Sequence, residues 1–138
     1  MTIRSDREEV LAVFHAFDSA LERRDIDGIL DLFADDPAVE LWGSDLSERA
    51  VGKLEIRGLL EGLFSRLPKS SVQRRFEHPR AHISGDVAWV TAAGTARWEP
   101  GGGGPRVIPY RVTAILVRTS AGWRWHTHNG SQPTGPDA

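Results

Sequence analysis

At 138 residues and 15.2 kDa the chain fits a single domain. Its 17 Lys+Arg against 19 Asp+Glu leave a net charge of −2, which offers no basic footprint for nucleic acid or an anionic membrane. With no cysteine, disulfides, thiolate catalysis and cysteine-ligated zinc are excluded. No apolar run approaches the ~20 residues that span a bilayer, and the acidic, amphipathic start is unlike a signal peptide. A cytoplasmic protein with no nucleic-acid or membrane partner is expected.

Ser5 and Glu8 have the spacing of a capping box, and Val10, Phe14, Phe17 and Leu21 follow as one apolar stripe, so a helix starts here. Asp25 is an N-cap for a second, shorter helix striped by Ile26, Ile29, Leu30 and Phe33, which Asp35-Asp36-Pro37 stops. Val39 to Gly43 alternates as a short strand, and a loop from Ser44 to Gly52 leads to a third helix. That helix carries Ile56, Leu59, Leu60, Leu63, Phe64 and Leu67 on one face and is closed by Pro68. Gly58 and Gly62 on it suggest close packing against a neighbour. Strands are expected at 72–84, 86–98, 106–118 and 122–131. A parity flip around Pro79 predicts a β-bulge in the first of them, and the Gly101–Gly104 run predicts a loop between the second and third. The tail 132–138 is expected to be disordered. The order ααβαββββ predicts an α+β domain, 1–138, with helices on one face of an antiparallel sheet.

Three runs carry a resemblance. Arg24-Asp25-Ile26-Asp27-Gly28, then Leu32-Phe33-Ala34-Asp35-Asp36, then Gly52 through Ile56 resemble the amino half of nuclear transport factor 2-like proteins. The loop Gly43-Ser44-Asp45 with Glu48, and the later Tyr110-Arg111-Val112-Thr113, Gly122-Trp123-Arg124-Trp125 and Ser131, are most similar to SnoaL-like domains within that superfamily. The resemblance implies a cone: a bent antiparallel sheet wrapped around a long helix, with a pocket at the open end, and frequent homodimers. It does not imply one reaction, since isomerases, cyclases, dehydratases, hydrolases and assembly modules share the fold.

The catalytic sets that the resemblance would bring are missing. The isomerases' tyrosine falls on Phe17 and their two acids on Leu41 and Ala114. The cyclases' late-strand acid finds only Val112, Ala114 and Leu116. Arg97 and Arg111 lack the flanking acids of the epoxide hydrolases. No ketosteroid isomerase activity is therefore expected. Asp45, in the loop at the pocket rim, and His78, beside the bulge, are the remaining acid–base candidates. His126 and His128 stand two apart on one strand. With Trp123, Trp125 and Thr127 taken as the core side, these two histidines face solvent or a partner, and no metal or other cofactor is expected.

The preferred reading is a protein that binds a small apolar or aromatic molecule. Its expected lining is Phe17, Leu41, Trp89, Thr91, Arg97, Tyr110, Val112, Ala114, Trp125, Thr127 and Asn129. Two alternatives stay open: a SnoaL-type cyclase, isomerase or hydrolase with a non-standard acid or base, and an oligomerisation module. Val87 to Ala96 carries no charge on either parity, so a homodimer through sheet faces is expected.

Overall fold

A computed structural model describes residues 3–67, 72–99 and 103–135. Helix α1 (Asp6–Arg23) starts at Ser5, whose hydroxyl accepts the Glu8 N–H at 3.2 Å and meets the Glu8 carboxylate at 3.1 Å. Its predicted stripe is buried, together with Ala20. The helix stops at Arg24, in the left-handed region at φ 60°. Asp25 caps α2 (Ile26–Asp31) by accepting the Gly28 N–H at 2.9 Å. Helix α3 (Lys53–Arg66) buries Ile56, Leu60 and Phe64. The Arg24 guanidinium donates to the carbonyls of Phe64 and Leu67, which fastens the end of α1 to the end of α3.

Between α2 and α3 the chain makes two short strands, β1 (Glu40–Trp42) and β2 (Arg49–Val51). The second replaces part of the expected loop. Gly43 N–H donates to the Glu48 carbonyl at 2.7 Å, and the Glu48 carboxylate accepts the Asp45 N–H at 2.9 Å. The segment is thereby closed into a hairpin that returns antiparallel to β1. Four long strands follow: β3 (Gln73–Ser84), β4 (Val87–Trp98), β5 (Arg106–Thr119) and β6 (Gly122–Ser131). The sheet order is β2-β1-β6-β5-β4-β3, antiparallel except for β1 against β6. This is the α+β cone, with a curled six-stranded sheet over α1. The Pro68 stop, Gly101–Gly102 and residues 136–138 of the tail lie outside the described residues.

Two irregularities shape the concave face. In β3 the register slips between Glu77 and Arg80, with His78 at φ 54°. Beside the slip, Gly94 of β4 is opposite Phe76, and a Cβ on Gly94 would lie 1.9 Å from the Arg75 carbonyl oxygen. The strands bend so closely here that only glycine fits. The second slip is in β6. Ile115 pairs with Thr127 but Leu116 with Trp125, so His126 is an extra residue. Trp123 and Trp125 point inward before the bulge, and His128 and Gly130 point inward after it.

Three expectations change accordingly. His128 faces the interior, not solvent, and is 1% exposed. The inner side of β4 is Ala88, Val90, Ala92 and Ala96, not the parity of Trp89. Small side chains let this strand pass over α1, where an indole would not fit. A methyl group on Gly58 or Gly62 would meet no described atom outside its own helix within 4 Å, so these glycines pack closely against no described element of the chain. No helix among the described residues is long and apolar enough to cross a membrane.

Candidate functional site

At one end of the concave face a cavity of about 300 Å³ opens between the helices and the sheet. Phe17 and Leu21 of α1 and Leu59, Leu60 and Leu63 of α3 form one wall. Leu41 of β1, Ala96 and Trp98 of β4, and Ile108 of β5 form the other. The 43–48 hairpin loop brings Ser44, Asp45 and Glu48 to the mouth, beside Trp42, whose ring lies 4.8 Å from the Arg49 guanidinium carbon.

The polar part of the lining is built around Arg74 on the apolar parity of β3. It is 8% exposed. Its Nε and Nη2 donate to one oxygen of Asp18, at 2.7 and 2.6 Å. Asp18 sits on α1 one residue beyond Phe17, so the ion pair bolts helix to sheet. Burial raises the Asp18 carboxyl above its usual range, although the Arg74 charge pulls it the other way. Nη2 also faces His128 Nε2 at 3.4 Å. An arginine can only donate, so Nε2 is the unprotonated nitrogen and Nδ1 carries the proton. Nδ1 has no hydrogen-bond partner among the described residues, and neither has the nearby Trp125 Nε1. The His128 ring stacks on Phe17 at 4.1 Å and meets Trp125 edge-on at 5.0 Å. Burial, reinforced by the Arg74 charge, holds its pKa well below 6.5, so the ring is neutral.

Tyr110 completes the group. Its ring centre is 5.6 Å from the Arg74 guanidinium carbon. A Cβ on Gly130 would come within 2.0 Å of the Tyr110 hydroxyl, so this glycine provides the space that the hydroxyl occupies. Burial raises the phenol above its ordinary value, and Arg74 and Ser44 partly offset this. The hydroxyl is therefore a donor at neutral pH. Chemically, the cavity is an apolar slot with a polar end made of the Arg74 guanidinium, the half-buried Tyr110 phenol and the neutral His128 imidazole.

Of the residues singled out in the sequence, Phe17, Leu41, Tyr110 and Asp45 line this cavity. Val112, Ala114 and Trp125 face inward but belong to the packed core beside it. Trp89, Thr91 and Arg97 lie on the convex face, because the inner positions of β4 are the small ones. Thr127 and Asn129 are off the cavity because the bulge at His126 reverses parity. His78 is exposed at the β3 bulge and is also off the cavity. The sequence reading missed Arg74, His128, Trp98 and Ile108. A signal existed for the first: Arg74 interrupts the apolar parity Val72–Phe76, and Asp18 interrupts the apolar face of α1. A cation and an anion on facing apolar stripes are candidates for a buried pair. For His128 there was no such signal, since nothing local marks the extra residue in β6.

The β6 register adds a point about the isomerase positions. His128 pairs with Leu41 on one side and with Ala114 on the other. The two places where that comparison would put acids thus flank a neutral imidazole whose acceptor nitrogen is directed at Arg74.

The family model of the SnoaL-like domain matches residues 10–135. Among solved structures, a nuclear transport factor 2-like superfamily protein from Salmonella enterica serovar Typhimurium superposes with a TM-score of 0.84 at 13% identity, covering 95% of this chain and 93% of that one. A protein of the same family from Streptomyces avermitilis gives 0.82 at 22% identity, covering 94% and 97%. A ketosteroid isomerase-like protein from Erwinia carotovora atroseptica gives 0.79 at 19% identity, covering 96% and 100%. These likenesses carry the fold. No curated protein matches the sequence. The family match spans nearly the whole chain and the fold agrees with it: the chain belongs to the SnoaL-like domain family, on the nuclear transport factor 2-like fold.

Proposed function

We propose that the protein binds a small, mostly apolar molecule in the cavity between α1, α3 and the concave sheet. The observation that carries this is the cavity itself: about 300 Å³, walled by leucines, Phe17, Trp98 and Ile108, with polar groups gathered at Arg74 and Tyr110. Small-molecule sites have this makeup and begin at about this size. Titration with 2-isopropenylnaphthalene, followed by tryptophan fluorescence, tests it. Saturable binding that is lost in Leu63→Trp, where an indole takes up the same space, supports the reading. Absence of binding, or binding that the variant leaves intact, overturns it.

We also propose a homodimer through the convex sheet face. Val87, Trp89 and Ile115 are about 40% exposed there and Val107 is 60% exposed, and isolated surface positions seldom collect so many large apolar groups in one sheet. Strands β3 to β6 have 12, 12, 14 and 10 residues. At ~3.3 Å per residue and ~4.8 Å between strands they present roughly 700–800 Å². A stable complex buries about 800 Å² per partner, so one face against its copy suffices. A chain without cysteine needs no oxidising compartment, which supports the cytoplasm as its place.

A further inference from the structure

We propose that the convex sheet face binds a tetrahedral dianion, sulfate or inorganic phosphate, between Arg80 of β3 and Arg111 of β5, and that this ion is part of the homodimer interface. The inference rests on the homodimer reading above and names what else that interface takes up.

Three observations lead to it. The first is a charge asymmetry that the net charge of −2 conceals. Residues 1–67 carry 8 Lys+Arg against 15 Asp+Glu, a balance of −7, whereas residues 73–131 carry 8 against 3, a balance of +5. The helical layer is acidic and the four long strands are basic.

The second is how those cations are matched. Arg74 is turned inward to Asp18, and Arg118 is held by Asp6 and Asp86. Arg75 lies 3.4 Å from Glu22, Arg97 lies 3.9 Å from Glu99, and Arg124 donates to the Trp123 carbonyl. Arg80 and Arg111 are exposed on the convex side and have no ion pair among the described residues. The same holds for Arg106, but it stands at the start of β5, opposite Trp98. Near Arg80 and Arg111 the convex side sets one unpaired acid, Glu77, across Ala93 from Arg111. Each face thus has an excess of one positive charge here, and two faces in contact would take an excess of two out of water. Unmatched charge at a closed interface is costly, and one dianion cancels it.

The third is place. Arg80 pairs with Thr91, Thr91 pairs with Thr113, and Arg111 is the neighbouring outward residue of β5. The two arginines therefore stand two strands and one outward step apart, roughly 12 Å at ~4.8 Å per strand and ~3.3 Å per residue. Thr91, Ala93 and Thr113 form a floor of small side chains between them. Two guanidinium forks above threonine hydroxyls match the oxygens of a tetrahedral oxyanion. Packed sheets lie ~10 Å apart, a gap that takes a bare oxyanion and leaves no room for a bulky ester of it.

The test is sedimentation equilibrium at pH 8 and constant ionic strength, in chloride, in sulfate and in inorganic phosphate. The dimer dissociation constant should be about tenfold smaller or more in a dianion than in chloride, and the two dianion arms show which one the site prefers. Arg80→Gln and Arg111→Gln should each lose most of this response. Each should also dimerise more tightly than the wild type in chloride, because the excess charge is gone. Arg97→Gln, which removes a cation already matched by Glu99, should keep the response. A wild-type dimer of equal strength in all three salts overturns the inference while leaving the dimer. So does a dianion response that both Arg80→Gln and Arg111→Gln retain, which would mean an adventitious ion only. A chain that is monomeric in every salt ends the homodimer reading, and the inference falls with it.

Discussion

Along β4, Ala88, Val90, Ala92 and Ala96 face α1 and are buried, while Val87, Trp89, Thr91 and Thr95 between them are open on the other side. The same alternation runs through β5, with Val112, Ala114 and Leu116 inside and Arg111, Thr113 and Ile115 outside. The two faces of one sheet thus break the usual sorting in opposite ways. The inner face keeps a buried arginine, its aspartate and a histidine at one end, and the outer face keeps a tryptophan and an isoleucine as cross-strand partners in view of solvent. Buried polar groups and exposed large apolar ones are the features that packing alone does not explain. They mark the cavity on one face and the proposed partner surface on the other.

The largest effect should separate the two faces at their tryptophans. Trp125 is fully buried and touches Phe14, Phe17 and His128 edge-on. Trp125→Ala should cost about 3–5 kcal/mol, much of the ~5–15 kcal/mol that a domain has. Trp89 stacks on His82, with ring centres 5.5 Å apart, and is 40% exposed. Trp89→Ala should cost about 1 kcal/mol or less. Guanidinium denaturation of dilute protein measures both; similar losses for the two variants would erase the distinction between the faces.

Next in size is the outer face on its own. Ile115→Asp places a charge in the middle of the convex patch, opposite Trp89. The dimer should weaken by about tenfold or more, with the monomer still folded, since a desolvated unpaired charge costs on the order of 1–3 kcal/mol even when partly relieved. Sedimentation velocity at micromolar concentration reads this directly. A wild-type chain that sediments as a 15.2 kDa monomer contradicts the dimer.

The smallest effect belongs to the inner face. His128 stays neutral because burial and then Arg74, itself paired with Asp18, hold its pKa well below 6.5. As pH falls through about 6.5 the unfolded chain takes up this proton and the folded chain does not. Stability that is fully present above that pH therefore declines below it, by at most about 1.4 kcal/mol per pH unit. Denaturation at pH 7.5 and pH 5.5 should show a smaller decline for His128→Gln than for the wild type. Equal declines would assign the pH sensitivity to other groups.

Most of the architecture was readable from the residues, because it follows from caps and periodicity. Ser5 and Asp25 cap the helices that their side chains announce, and the helix stripes are the buried ones. The β3 bulge was visible because Pro79 and a parity flip coincide. The site was readable only in part. Phe17, Leu41 and Tyr110 reach the cavity from elements whose inner side was read correctly. Trp89, Thr91 and Arg97 were misplaced because size suggested an inner tryptophan, whereas close passage over α1 demands alanine. Thr127, Asn129 and His128 exchanged sides through one extra residue in β6, set by pairing with β5 and not by anything local. Arg74 and Asp18 were overlooked because each is costly alone on an apolar face, and only their contact across 56 residues makes sense of both.

The five tryptophans sample every part of this comparison, with Trp42 and Trp98 at the cavity, Trp123 and Trp125 in the core, and Trp89 on the convex face. Nitrogen–proton correlation spectra of the indole groups, recorded while 2-acetylnaphthalene is added, therefore locate the bound molecule in one measurement. If the cavity between α1, α3 and the sheet is the binding site, the Trp98 and Trp42 signals move saturably together and Trp89 stays in place. A Trp89 signal that moves while Trp98 and Trp42 do not would put the ligand on the convex face and contradict the site.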